Sequence, residues 1–160
     1  MKEWENYFVL TGTGAVTLIG LLFVVITLGA ERRQRDGGRL LRSYLTPTLF
    51  HFGVVFLIAL VALSPEGDSL ILPLGLIGIV GLIYSLIIML KLARGHETWD
   101  ALLFHGGIPI LCYLGIIAAA CLSLSSTNQA YLVFRAVSAL LLLAGMRNAW
   151  AAAVAVAESK

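Results

Sequence analysis

The chain has 160 residues, of which 59% are apolar and only 12% are charged, and its mean hydropathy is +0.94. These values exclude an ordinary soluble domain and indicate a polytopic membrane protein. The net charge of +2 is small. The basic residues flank apolar runs and do not line a polar face, which excludes a nucleic-acid-binding surface. The first predicted partner is therefore the lipid bilayer.

Five apolar runs predict five transmembrane helices in a single domain that covers residues 1–160. The first run has 24 residues, which at about 1.5 Å per residue make ~36 Å of helix, long enough to cross a hydrocarbon core of about 30 Å. The second run is predicted to begin sharply, because Thr46 can cap a helix and Pro47 suits the first helical position. We therefore expect an all-α bundle of five transmembrane helices. Its spans cover residues 7–30, 46–63, 73–93, 102–124 and 130–157.

The basic residues outside the spans are divided unequally between the two sides of the membrane. One side has only Lys2. Because Lys and Arg accumulate in cytoplasmic loops, the bias predicts an amino terminus outside and a carboxyl terminus inside. The apolar first span, the basic loop and the Thr-Pro-Thr helix start indicate a bacterial inner (plasma) membrane. The basic residues of the predicted inner side are Arg32, Arg33, Arg35, Arg39, Arg42, Lys91, Arg94 and Lys160.

The fourth predicted span contains residues that interrupt helices. Gly106, Gly107 and Pro109 lie close together near its start, and this combination predicts a kink or a break. The alternative is a short surface segment followed by a helix over residues 108–124. Cys112 and Cys121 lie on opposite sides of the same helix, so we expect no disulfide between them.

One short pattern occurs twice. Leu-Phe-His-X-Gly stands at residues 49–53 and again at residues 103–107, and it contains two of the three histidines. The helix before each copy carries a second related pattern, at residues 20–23 and 81–84. We interpret spans 1 and 2 and spans 3 and 4 as two similar hairpins, related by an axis along the membrane normal and followed by a long fifth helix. The alternative is chance, because Leu, Phe and Gly recur in any apolar chain.

Small residues form a stripe on the third and fifth predicted helices, which allows a neighbouring backbone to approach closely. On the fifth helix, Arg147 points away from the stripe. That helix would then have two sides that face protein, which predicts a homo-oligomer or a larger membrane complex. The alternative is an arginine that extends to the inner phosphates, as we expect Arg135 to extend to the outer headgroups. The stripes comprise Gly75, Gly78, Gly81 and Ser85 on the third helix and Ser138, Gly145, Ala149 and Ala152 on the fifth.

Ionisable groups inside a span cost roughly 2.5 to 3.5 kcal/mol on insertion scales, so each one suggests a function. His51 and His105 have four interpretations. They hydrogen-bond a neighbouring helix or a headgroup, they line an ion or proton path, they are the axial ligands of a b-type haem, or they act in catalysis or metal binding with His96, Glu97 and Asp100. The last is weak, because His96 and Glu97 lack a second histidine at helical spacing. We therefore predict no catalytic residue and no metal site. The predicted polar cluster comprises His51, His105, Arg147, Asn148, Glu31 and Glu97.

Three functions follow from these features. The leading hypothesis is a non-enzymatic membrane subunit that holds no cofactor, assembles with itself or with partner proteins through the fifth helix, and keeps the polar cluster at the cytoplasmic leaflet. The first alternative is a small homo-oligomeric channel or transporter for ions or protons. The second is a membrane protein that binds haem b through His51 and His105.

Overall fold

The computed structural model describes residues 2–32, 37–64, 71–95 and 99–158. These residues form helices joined by short connections, with no strand among them. The helical elements are α1 (Lys2–Arg32), α2 (Gly37–Leu63), α3 (Ile71–Arg94), α4 (Trp99–Leu102), a π-helical turn (Leu103–Gly107), α5 (Ile108–Leu122) and α6 (Thr127–Glu158).

Within the described ranges, five segments are long and apolar enough to cross a membrane, which confirms the all-α architecture and the number of spans. The fourth combines the π-helical turn with α5, and each of the others lies within one helix. The chain is therefore a multi-pass membrane protein. The five segments are Trp4–Thr27, Thr46–Leu63, Leu72–Arg94, Leu103–Leu122 and Thr127–Ala151.

The predicted start of the second helix is wrong. Helix α2 begins at Gly37, and Pro47 lies inside it, so Thr46 is not its cap. A proline within a helix removes one hydrogen bond, here to the carbonyl of Ser43. That carbonyl lies just outside the apolar segment that begins at Thr46, where water can satisfy it, and the helix therefore continues through the proline.

Helix α6 packs against three other helices, α1, α2 and α5. Helix α1 packs along α2, and α3 packs along α5, whereas α2 and α3 touch each other sparingly. The second helix of each hairpin thus meets α6, which lies between them. The internal repeat stays a prediction.

The small residues of α3 and α6 allow close contacts with large side chains. A Cβ atom on Gly78 would lie 2.7 Å from Cγ1 of Ile117, and the ring of Tyr113 covers Gly81. On α6, the ring of Phe52 occupies the space beside Gly145. Ser85 and Ser138 are fully buried, Ala149 packs against the core, Gly75 has open space beside it, and the side chain of Ala152 is not described.

The break signal in the fourth span produces a π-helical turn. The N–H of Ile108 donates to the carbonyl of Leu103, five residues back, and the chain then continues into α5. Gly106 is buried and lies against Met89 of α3, where an added Cβ would be 2.9 Å from the Met89 Cβ. The turn therefore brings this backbone close to the end of α3. Cys112 and Cys121 are both free, as expected.

A buried polar cluster at the basic end of the bundle

The candidate site lies near the end of the bundle at which α3 finishes with Lys91 and Arg94, which we call the basic end. Helix α2 supplies His51, which is fully buried. The Nδ1 atom of His51 shares a hydrogen bond of 2.8 Å with the hydroxyl of Tyr113 on α5. The Tyr113 ring is held against Gly81 of α3. Three helices therefore fix the geometry of this pair.

His105 belongs to the π-helical turn and is 3% exposed. It lies near enough to His51 for their charges to interact. The two histidines singled out from the sequence thus occupy one buried region of the bundle. They reach it from two hairpins, because His51 comes from α2 and His105 from the turn that precedes α5.

Aromatic rings surround the His51–Tyr113 pair on one side. The ring of Phe50 lies 6.2 Å from that of His51 and 6.3 Å from that of Tyr113, measured between centroids. Its other neighbour is Tyr84 of α3, at 4.3 Å. These contacts enclose the imidazole in an apolar environment, where a polar atom without a hydrogen bond raises the free energy of the folded state.

Several buried polar atoms of the bundle have no hydrogen-bond partner among the described residues. The imidazole of His51 uses only Nδ1, so its Nε2 atom is unpaired in either tautomer. The hydroxyls of Ser85 and Ser138 and the side-chain oxygen of Asn148 are unpaired as well. Buried polar atoms are usually satisfied by protein or by ordered water. The interior of this bundle therefore has unused hydrogen-bonding capacity.

Asn148 of α6 is fully buried, and its amide nitrogen donates to the carbonyl of Phe104 at 3.4 Å. The local backbone explains why that carbonyl is free. In the π-helical turn the N–H of Ile108 goes to Leu103, and the donor five residues after Phe104 would be Pro109, which has no N–H. Asn148 therefore supplies the hydrogen bond that the turn and the proline remove.

Arg147 has partners within its own chain. Its guanidinium lies 3.9 Å from the centre of the Phe104 ring and 3.5 Å from a carboxylate oxygen of Asp100. The Asp100 side chain is 80% exposed, so the ion pair is solvated and weak. The two protein-facing sides expected of the fifth helix exist: α2 covers Gly145, and the segment before α5 covers Arg147. Both neighbours belong to the same chain, so these contacts by themselves do not require a second protomer.

Two residues of the predicted cluster are not placed. Glu97, like His96, lies outside the described residues, and the side chain of Glu31 near the end of α1 is not described. The sequence reasoning also missed the role of Tyr113. A tyrosine in the middle of an apolar span was the available signal, because a buried tyrosine hydroxyl usually has a polar partner.

Arg135 lies at the opposite end of the bundle. Its guanidinium stacks on the rings of Trp4 and Tyr7, at 4.3 and 5.0 Å from their centres. The Tyr7 hydroxyl also donates to the Arg135 carbonyl at 2.7 Å. These contacts join α1 to α6 and keep Arg135 away from the histidine cluster.

The described residues include no group of three His, Cys, Asp or Glu side chains that could hold a metal ion. For a haem, the available ligand atom of His51 is Nε2. Of the glycines beside the two histidines, Gly106 is packed against Met89, whereas Gly53 has open space beside it. The His51 imidazole is covered by Tyr113 and Phe50. A macrocycle would therefore have to displace aromatic rings to reach this atom. Haem binding stays a prediction.

Comparisons with models of protein families, with curated proteins and with solved structures give no match for this chain.

Proposed function

We propose that this protein is a non-enzymatic subunit of an assembly in a bacterial inner membrane, with its basic end at the cytoplasmic leaflet. In this role the polar cluster holds the helices of one protomer together by hydrogen bonds. His51 and Tyr113 join the two hairpins, and Asn148 joins α6 to the π-helical turn. Hydrogen bonds between helices stabilise membrane bundles in this way. The hydrophobic effect contributes little to helix association within the bilayer, because lipid tails are as apolar as the helix surfaces.

The observation that carries the proposal is the outward face of α6. It presents Leu140, Leu143 and Trp150, which are 49%, 62% and 72% exposed. Their spacing of three and seven residues is that of a single helix face, and Arg147 lies on this face as well. The corresponding exposed face of α3 carries aliphatic side chains, as a lipid-facing surface should: Leu76, Ile79, Ile83 and Leu86. A charged side chain on an otherwise apolar face favours a neighbour that supplies polar groups, and the Arg147 side chain is 37% exposed. Helix α6 is therefore the helix better suited to a protein neighbour.

A mass measurement in mild detergent tests the proposal. The wild-type chain should run as an oligomer or with a co-purifying membrane protein. Leu143→Trp should release the monomer, because the larger side chain obstructs the exposed face of α6. Leu86→Trp is the matched control, because Leu86 lies on the exposed face of α3 and is 42% exposed. A wild-type monomer without a partner overturns the proposal. Equal behaviour of the two variants removes α6 as the docking helix.

A second candidate function is supported by the unpaired polar atoms. His51 Nε2, Ser85 Oγ and Asn148 Oδ1 come from three different helices and are buried without partners among the described residues. Ordered waters between them would form a polar path, and histidine is the side chain best suited to pass protons near neutral pH. We propose a proton or ion path within each protomer as the alternative.

Proton flux into liposomes separates the two functions. Under the second one, the protein should dissipate a pH gradient and His51→Ala should change the rate, whereas Thr17→Ala, an exposed residue of α1, should not. Under the first, liposomes with and without protein should leak equally, and His51→Ala should weaken only folding or assembly. Flux equal to that of empty liposomes excludes the transport candidate.

A further inference from the structure

A groove opens between α2 and α3, on the side of the bundle where these two helices touch sparingly. Its volume is about 400 Å³. Helix α2 contributes Thr46 and Pro47 at the point where its apolar segment begins, and α3 contributes residues from its last three turns. The groove therefore reaches from the expected headgroup level into the apolar part of the bundle.

The α3 wall of the groove has a regular composition. Tyr84, Ile87, Ile88 and Lys91 follow one another at the spacing of a single helix face. The deep end is closed by Tyr84, whose ring packs against that of Phe50 with the centroids 4.3 Å apart. Lys91 lies two turns away, about 10 Å along the axis. The wall is thus apolar along its length and carries a cation at its mouth.

We propose that this groove binds one anionic phospholipid. The Lys91 ammonium would pair with the phosphate, the Thr46 hydroxyl would donate a hydrogen bond to it, and one acyl chain would lie along Ile87 and Ile88. Among the described residues, no acidic side chain lines the groove and opposes the phosphate. A free phosphate would leave the apolar wall unused, which favours a lipid. The site does not involve α6, so it is independent of the proposed assembly.

The test is native mass spectrometry of the detergent-solubilised protein with phosphatidylglycerol or phosphatidylcholine of matched chains. One phosphatidylglycerol should bind in preference to phosphatidylcholine. Lys91→Ala should weaken its binding about fivefold, the effect of one basic residue at a membrane surface. Lys91→Arg should bind as the wild type does, which also shows that a variant at this position folds.

Two further variants separate a site from general attraction to anionic lipid. Arg94→Ala removes the same charge from the same end of α3, but Arg94 does not line the groove, so binding should change less than twofold. Ile87→Trp fills the groove without changing charge and should weaken phosphatidylglycerol binding. Equal affinity for the two lipids, equal losses in Lys91→Ala and Arg94→Ala, or full binding by Ile87→Trp would each overturn the proposal.

Discussion

The hydrogen bond between His51 and Tyr113 offers the sharpest test of the buried cluster. Tyr113→Phe removes one oxygen atom and keeps the ring that packs on Gly81. In the wild type, His51 is fully buried and this 2.8 Å bond is its hydrogen bond within the described part of the chain. The substitution therefore leaves both ring nitrogens of a buried imidazole unpaired.

The expected loss has two components. A hydrogen bond between transmembrane helices contributes roughly 0.6 kcal/mol on average and about 1.7 kcal/mol at most. A buried polar group that loses its partner costs roughly 1 to 3 kcal/mol in full, of which relaxation or an entering water recovers part. We therefore expect Tyr113→Phe to lower the free energy of unfolding by about 1 to 2 kcal/mol.

The measurement is reversible unfolding in mixed micelles, followed by far-UV circular dichroism as the denaturing detergent is titrated. Tyr84→Phe is the matched control, because Tyr84 belongs to the same aromatic group and its described contacts are ring contacts. It should cost under about 0.5 kcal/mol. In a His51→Leu background the hydroxyl of Tyr113 has already lost its partner, so Tyr113→Phe should there be neutral or stabilising.

Equal losses in Tyr113→Phe and Tyr84→Phe would refute the reasoning. So would an unchanged cost of Tyr113→Phe in the His51→Leu background, because the coupling energy would then be zero. Either result would mean that the hydrogen bond between His51 and Tyr113 adds no measurable stability. This bond would then not hold the two hairpins together.

Three other predictions follow from the packing. Gly145→Ala should lower the free energy of unfolding by about 1 to 3 kcal/mol, because the added Cβ would enter the Phe52 ring. Gly20→Ala, which has open space beside it, should be neutral or stabilising by up to about 1 kcal/mol. Unfolding titrations compare the two variants. Asn148→Ala should cost about 1 kcal/mol by leaving the carbonyl of the π-helical turn unpaired, and Pro109→Ala should reduce that cost by restoring a backbone donor, which a double-mutant cycle measures. Purified protein should show no Soret absorption if the rings around the histidines stay packed, and a Soret band would support the haem hypothesis.

The arrangement of Arg147 changes the argument for an assembly. From the sequence, an arginine opposite a small-residue stripe implied a second protein surface. In the structure, Phe104 and Asp100 of the same chain contact the guanidinium, which remains 37% exposed. The Arg147 guanidinium therefore needs a second protein less than the sequence implied. The proposal of an assembly now depends on the exposed face of α6 that carries Leu140, Leu143, Arg147 and Trp150.

Local signals predicted much of this fold. Five spans follow from hydropathy alone, because crossing the membrane requires about 20 apolar residues in sequence. The disturbance at Gly106, Gly107 and Pro109 followed from the chemistry of glycine and proline. The same kind of local rule failed at Pro47, because a proline can be tolerated inside a membrane helix wherever its lost hydrogen bond is replaced by water or by a neighbour.

The sequence by itself determined which residues are costly in a bilayer, and so identified His51, His105 and Arg147 as the groups that need partners. Only the tertiary structure decided which partners they have. The hydroxyl that meets His51 is 62 residues away, and the carbonyl that meets Asn148 is 44 residues away. Such pairs depend on the rotation and register of helices that touch only in the folded bundle. Hydropathy records the cost of burying a polar group, and it contains no information about which neighbour offsets that cost.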